Sequence, residues 1–169
     1  MGPERQPVKR RCVFLDRDGV INVKPVDEYL RRWDEFRFLP GIVDWIRLFK
    51  ALGFLVVVIT NQRGVARGLT DPRELAYIHS RMAEELAAQG AALDGILCCP
   101  HDEGTCTCRK PQPGMVVEAQ RRWNIDLRES LLIGDSPTDG QLAETCGMTF
   151  VLARDGRIVE VVAVSPRSA

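Results

Sequence analysis

The sequence has no surplus of either charge: 23 Lys and Arg stand against 23 Asp and Glu, a formal charge of zero. A nucleic-acid binder needs a basic excess to neutralise phosphates, so no nucleic-acid partner is expected. No apolar run approaches the roughly 18 residues that a bilayer span requires, so no membrane partner is expected either. Met1 to Arg11 is polar and basic with no apolar segment behind it, which does not fit a secretory signal, and Gln6 stands where a myristoylated chain carries Ser or Thr. A cytoplasmic protein is expected. Internal repeats, low-complexity tracts and a dividing linker are also missing. The 169 residues and 18.9 kDa therefore suit one domain, taken as residues 12–155 between tails at 1–11 and 156–169. In a reducing compartment six cysteines read as metal ligands or buried thiols rather than disulfides.

What is present is a set of short apolar runs, each ending in a polar residue of chemical interest. Val13-Phe14-Leu15 runs into Asp16, Leu55 to Ile59 into Thr60, Ile96-Leu97-Cys98 into a cysteine-rich loop, and Leu131 to Gly134 into Asp135. Thr149 to Leu152 is a fifth. Unalternating runs of this kind suit strands of a parallel sheet covered on both faces. Helical stripes lie between them. One follows Pro40-Gly41 and closes at Gly53. A second follows Asp71-Pro72, with Glu74 as a capping acid, and holds Leu75, Ile78, Met82 and Leu86. A third opens at Pro113-Gly114, and a fourth runs from Pro137 to Gly147. This alternation predicts βαβ units in a three-layer, Rossmann-like α/β fold with helices on both faces. The run from Ile158 to Val164 allows a short extra strand or a frayed end.

Ligands of open α/β sheets bind beyond the carboxyl ends of the strands, and Asp16, Thr60 and Asp135 are all predicted there. Asp16 and Asp18 are two residues apart, so in an extended exit both point the same way, and Gly19 permits a tight turn. Asp139 lies within reach of Asp135. Any one of these acids alone could simply cap a helix or shape a turn. Crowded together they repel unless a cation neutralises them, and Mg²⁺ is the hard, oxygen-seeking choice. Thr60 and Lys110 facing such a cluster make sense if the ligand is a phosphoryl group attacked by a carboxylate.

Cys99-Pro100-His101 and Cys106-Thr107-Cys108 bring three thiols and one imidazole within ten positions. Two close pairs can converge on a tetrahedral Zn²⁺; reduced, unligated cysteines in a loop are the alternative. The loop has little apolar content, so a metal there supplies folding energy and fixes Arg109 and Lys110 beside Cys108, a structural role. Cys98 is read as the last strand residue, Cys12 and Cys146 as buried hydrophobes, and His79 as a solvent-side helix residue. Trp33 sits in a loop that could border the site.

In sequence order, Asp16-Arg17-Asp18-Gly19-Val20, Ile59-Thr60-Asn61-Gln62, Arg109-Lys110-Pro111-Gln112-Pro113-Gly114-Met115 and Gly134-Asp135-Ser136-Pro137-Thr138-Asp139 resemble the signatures of the haloacid dehalogenase-like phosphatases. The resemblance spans roughly residues 12 to 152 and is closest to the branch of D-glycero-D-manno-heptose 1,7-bisphosphate and histidinol-phosphate phosphatases. It implies an aspartyl-phosphate mechanism, with Asp16 as nucleophile and Asp18 as general acid and then base. By the same resemblance Thr60 contacts the phosphoryl group, Lys110 pairs its charge, and Mg²⁺ binds Asp16, the backbone carbonyl of Asp18, and Asp135. Asp139 matches an acid one step removed from the metal. A Cys-x-His…Cys-x-Cys zinc loop directly before Arg-Lys-Pro belongs to the same branch, which assigns Zn²⁺ to Cys99, His101, Cys106 and Cys108.

Neither the segment between Asp18 and Thr60 nor that between Thr60 and Lys110 can hold an ordinary cap domain, so short loops must screen the site. Asn61, Gln62, Arg63 and Arg109 are the candidate substrate contacts, while Arg67 reads as surface. Asn61 to Gly68 resembles the heptose enzymes. The short spacer from His101 to Cys106 resembles the histidinol-phosphate enzymes, and Ser136 replaces a lysine common in the heptose group. The expected partner is a small phosphorylated metabolite, foremost heptose 1,7-bisphosphate at its C7 phosphate, with histidinol phosphate or another sugar phosphate as the alternative. The chain is expected to act as a monomer. A phosphoryl-accepting signalling domain and a nucleic-acid end-processing enzyme are rival classes; the neutral charge disfavours the second.

Overall fold

The computed structural model describes residues 8–27 and 29–163, and the strand and helix patterns of the sequence close there into one six-stranded sheet. Expectations that fall on residues 1–7, including Gln6, and on residues 164–169 lie outside the described residues. The strands are β1 (Cys12–Leu15), β2 (Leu55–Asn61), β3 (Gly95–Cys99), β4 (Leu131–Gly134), β5 (Thr149–Arg154) and β6 (Arg157–Val162). The helices are α1 (Ile42–Ala51), α2 (Pro72–Ala88), α3 (Gly114–Trp123) and α4 (Pro137–Cys146). The order across the sheet is β3-β2-β1-β4-β5-β6. The first five strands are parallel, and β6 turns back antiparallel on β5.

Side chains alternate across a strand, and this alternation divides the core into two layers. Val13, Leu15, Val56 and Val58 face one side, where Ile42 and Ile46 of α1 and Ile78, Met82 and Leu86 of α2 cover them. Cys12, Phe14, Leu55, Val57 and Ile59 face the other, under Met115, Val116 and Ala119 of α3 and Leu142 and Ala143 of α4. All these strand residues are fully or almost fully buried, each large one contributing about 1.5–3 kcal/mol. β1, β2 and β4 read as continuous apolar runs because they are buried on both faces of the sheet.

Local chemistry sets the helix limits. The Asp71 carboxylate accepts the Arg73 N–H at 2.7 Å and starts α2. Glu74, expected to complete that cap, instead accepts the backbone N–H of Trp33 at 3.3 Å and ties the long β1–α1 connection to α2. That connection is also held by Trp33, Phe36 and Phe38, whose rings pack at 4.8 to 6.4 Å against the core. Trp33 is thus a packing residue. Two further expectations shift. β3 ends at Cys99, one residue beyond Cys98, and the apolar run from Ile158 enters the sheet as β6, which carries it past residue 155 to Val162. No separate cap domain interrupts the described residues, and none of their helices is long and apolar enough to cross a membrane.

From β1 the chain passes to β2 on one side, and from β3 it returns to β4 on the other side of β1. The carboxyl ends of β1 and β4 therefore flank the crevice where the strand order reverses, the place where such sheets bind ligands.

Candidate active site

Asp16 and Asp135 follow the last residues of paired strands β1 and β4, and the Asp16 N–H donates to Ile133 O at 3.0 Å. Between them the chain turns at Gly19, whose φ is +89°. A Cβ there would collide with the Asp135 carboxylate, so both backbone conformation and close approach require glycine.

Lys110 reaches this point from the cysteine-rich loop and is 4% exposed. Its ammonium lies 2.8 Å from Asp16 Oδ1 and 2.7 Å from Asp139 Oδ1, and donates to Ile59 O at 3.1 Å. Asn61 clamps the Lys110 backbone at both ends, accepting its N–H at 2.9 Å and donating to its carbonyl at 3.1 Å. Asp139, entirely buried in the first turn of α4, uses its other oxygen to accept from Ser136 Oγ at 2.6 Å and Ser136 N–H at 3.2 Å. Asp135 Oδ2 accepts from Lys24 at 2.9 Å, while its Oδ1 is buried with no hydrogen-bond partner. Sequence reasoning did not single out Lys24.

Carboxylate oxygens of Asp16, Asp135 and Asp139 lie within 4.8 Å of one another. Burial pushes the Asp16 carboxyl up to about 7; Lys110 pulls against this, while Asp139 and Asp18 add to it. Burial opposes the charge on Lys110, but Asp16 and Asp139 outweigh it and hold the ammonium above the usual lysine range. Hard oxygen donors, an unpartnered buried oxygen and a carboxylate under repulsion fit Mg²⁺. The Asp18 side chain is outside this trio, so the part assigned to Asp18 there rests on its backbone carbonyl.

Asp18 instead faces Arg17, a fully buried guanidinium whose Nε and terminal nitrogen approach its two oxygens at 2.9 to 3.2 Å. Asn22 and Gln62 donate to the same carboxylate at 2.9 and 2.8 Å. The second terminal nitrogen of Arg17 donates to His79 Nε2 at 3.1 Å. His79 is therefore half-buried against Arg17 rather than turned out to solvent, and burial, reinforced by Arg17, pushes its imidazole down to about 4. The signal was available, since Leu75, His79, Met82 and Leu86 follow helical spacing on the inward stripe of α2.

Above this floor is a cavity of about 280 Å³ whose wall includes Asp16, Asp18, Lys110 and Asp135 and, at the rim, Gln62, Arg63 and Arg109. Arg63 and Arg109 both approach Glu103 of the cysteine-rich loop, at 3.1 and 3.7 Å. Thr60 is 1% exposed, its hydroxyl accepting from Gln62 Nε2 at 2.9 Å, so Gln62 stands between it and the cavity. Arg67 pairs with Asp102 and the Tyr29 hydroxyl, away from the wall.

Cys99 at the end of β3 meets Cys106 Sγ at 3.5 Å, Cys108 Sγ at 3.2 Å and His101 Nδ1 at 3.6 Å. Cys106 and Cys108 are 3.4 Å apart, and His101 Nδ1 is 3.3 Å from Cys108 Sγ. Zinc–sulfur bonds near 2.3 Å in tetrahedral geometry place sulfurs about 3.7 Å apart, so these contacts are close to the edges of a zinc tetrahedron. Burial opposes ionisation of Cys106, yet the backbone N–H groups of Arg109 and Cys108 bring its thiol down to about 6. Cys108 is pushed up to about 12 by burial and by its neighbouring thiols. A cation shared by all of them would resolve that conflict.

A family model described as HAD-hyrolase-like matches residues 107–161. The D-glycero-beta-D-manno-heptose-1,7-bisphosphate 7-phosphatase of Photorhabdus laumondii is 40% identical over 161 residues, 90% of this chain and 85% of that protein. The D-glycero-alpha-D-manno-heptose-1,7-bisphosphate 7-phosphatase of Mycobacterium tuberculosis is 40% identical over 134 residues, 78% of this chain and 70% of that one. Among solved structures, the D,D-heptose 1,7-bisphosphate phosphatase of B. bronchiseptica, complexed with magnesium and phosphate, superposes with a TM-score of 0.81 at 36% identity, covering 92% of each chain.

Two outcomes follow from this geometry. Gly19→Ala meets both the positive φ and the Asp135 carboxylate and lowers unfolding free energy by about 1–3 kcal/mol in urea titrations. For His79, the imidazole titrates near 6.5 unfolded and near 4 folded. Between these values the unfolded chain binds a proton that the folded chain excludes. Its contribution is complete above 6.5 and is lost as the pH falls toward 4, so urea unfolding at pH 7 and pH 5 shows a larger loss for wild type than for His79→Gln.

Proposed function

The chain belongs to the haloacid dehalogenase-like phosphatases, among the D-glycero-D-manno-heptose-1,7-bisphosphate 7-phosphatases, and we propose that it hydrolyses the C7 phosphate of that heptose bisphosphate. The observation that carries this reading is the Lys110 ammonium 2.8 Å from Asp16, beside the partnerless Asp135 oxygen. A carboxylate, a fixed cation and a set of hard-oxygen donors then converge on one end of a small cavity.

In this reading an Asp16 oxygen attacks phosphorus in line, the ester P–O bond breaks, and the departing sugar oxygen takes a proton from Asp18. Water then attacks the aspartyl phosphate, Asp18 takes back a proton, and the Asp16 O–P bond breaks to release inorganic phosphate. Asp16, Asp135 and the backbone carbonyl of Asp18 would hold Mg²⁺, which supplies charge neutralisation at the phosphoryl oxygens. Lys110 adds a second positive charge without moving, since Asn61, Asp139 and Ile59 already fix it. Thr60 acts through Gln62, whose amide contacts both the Thr60 hydroxyl and Asp18. Arg63 and Arg109 at the rim suit the second phosphate of the substrate.

Zn²⁺ on Cys99, His101, Cys106 and Cys108 is the second metal of this reading, with a structural part. All six cysteines are free of disulfides, which suits the cytoplasm; the chain is read as a monomer. The catalytic machinery is assigned to residues 12–155, with β6 (Arg157–Val162) extending the sheet beyond that bound.

Phosphate release is measured from both anomers of heptose 1,7-bisphosphate, histidinol phosphate and a panel of sugar phosphates, with and without Mg²⁺. The heptose bisphosphate is turned over fastest, and Asp16→Asn loses at least about 10³-fold in rate with unchanged melting. Preference for histidinol phosphate overturns the substrate, and stoichiometric phosphorylation without turnover points to a signalling domain. Metal analysis of the purified protein gives about one zinc per chain; Cys106→Ser loses it and melts lower.

A further inference from the structure

We propose that His79 is a positioning residue for this reaction: through the buried guanidinium of Arg17 it fixes the Asp18 carboxylate at the wall of the phosphate cavity. The inference rests on the reading of Asp18 as the acid and base of the proposed phosphatase.

The chain of contacts runs from α2 to the β1 exit. Arg17 has no exposed surface and is permanently charged, with N–H donors only. Its Nε and one terminal nitrogen grip both oxygens of Asp18, and its other terminal nitrogen has His79 Nε2 at 3.1 Å. Two donors cannot face each other at that distance, so Nε2 is the acceptor and the imidazole is neutral, with its proton on Nδ1. The charged groups that act on it are Arg17 and, beyond it, Asp18. The cation beside it and the burial both keep the ring neutral.

This arrangement solves a placement problem. Asp18 follows Arg17 in the chain, so a guanidinium held only by its own neighbour could rotate with it and fix nothing. His79 belongs to a different element, packed into the core through Ile78 and Met82 on either side. It anchors the far end of the guanidinium, and Asn22 and Gln62 complete the donors to the carboxylate. The Asp18 carboxyl is thereby held in place at the cavity wall, where the proposed reaction has it give a proton and then take one back. Removing the acceptor leaves a buried charged N–H without a partner, and the simplest relief is rotation of Arg17 away from Asp18. Asp16, Lys110 and Asp135 are not touched by His79, so substrate and metal binding should survive.

The experiment uses the full-length protein and pairs His79→Leu, which keeps volume but lacks an acceptor, with His79→Gln, whose Oε1 falls near the place of Nε2. With heptose 1,7-bisphosphate as substrate, kcat of His79→Leu falls about tenfold or more while KM, and Mn²⁺ binding read by electron paramagnetic resonance, stay near wild type; His79→Gln recovers most of the loss. Long-range ¹H–¹⁵N spectra of the wild-type protein show His79 protonated on Nδ1 alone at pH 7 and still neutral at pH 5.5, a readout that decides the matter if His79→Leu does not fold. Equal kcat in His79→Leu and wild type, equal losses in the two variants, or a proton on Nε2 overturns the inference while leaving the phosphatase reading intact. Wild-type protein that releases no phosphate overturns both.

Discussion

One buried ammonium organises the site. Lys110 gives up water, at a cost of several kcal/mol for an ion of this kind, and recovers it from Asp16 on the β1 exit, Asp139 on α4 and the Ile59 carbonyl on β2. Asn61 adds a two-point grip on its backbone. Two strands, a helix and a loop are therefore registered on a single charge, and none of the four can shift without leaving a buried ion short of partners. The same charge keeps three neighbouring carboxylates tolerable before any metal arrives. Asp16 still carries the residue of that repulsion, which is why burial and its acidic neighbours overcome the lysine beside it.

The cysteine-rich loop acts on the same ammonium from the other direction. Cys108 is two residues before Lys110, and Cys99 closes β3 next to Asn61 in the strand register. The metal-type cluster thus ties the loop to the sheet edge at the place where Asn61 receives Lys110. Its far side is fastened as well, since the Gly114 N–H donates to Thr107 O at 2.9 Å and a Cβ on Gly114 would strike that backbone. The loop has few apolar side chains, with Cys106 and Cys108 packed against the core, so the four clustered ligand-type side chains are the main contacts holding this path.

Sequence legibility follows the range of the forces. β1, β2 and β4 were readable because burial on both faces leaves only apolar residues in them, and Asp16 and Asp135 because strand ends in such sheets carry the chemistry. The clustering of Cys99, His101, Cys106 and Cys108 was readable from their spacing, while their assignment to zinc came with the family resemblance. The hidden parts are contacts between elements distant in the chain: Lys24 on Asp135, Glu74 on the Trp33 backbone, and His79 on Arg17. A polar side chain on an inward helical stripe has two readings, exposed by a local twist or buried against a partner, and only the position of Arg17 decides between them. β6 was ambiguous for a related reason, because all six of its residues are exposed and only pairing with β5 holds it.

With no cap domain among the described residues, the rim of the cavity is formed by charged loop side chains. Glu103 is 71% exposed on its side chain and stands between Arg63 and Arg109, where screened ion pairs contribute about 0–1 kcal/mol. A phosphate carries more charge than a carboxylate and offers three oxygens to guanidinium forks, so it displaces Glu103 at little cost. The floor differs: Arg17, Lys110 and Asp139 are buried to 4% exposure or less, and their contacts are too strong to rearrange for each ligand. A rigid floor lies under a rim whose ion pairs are exposed and open to exchange, so the two layers of the site can select charge independently without a moving domain.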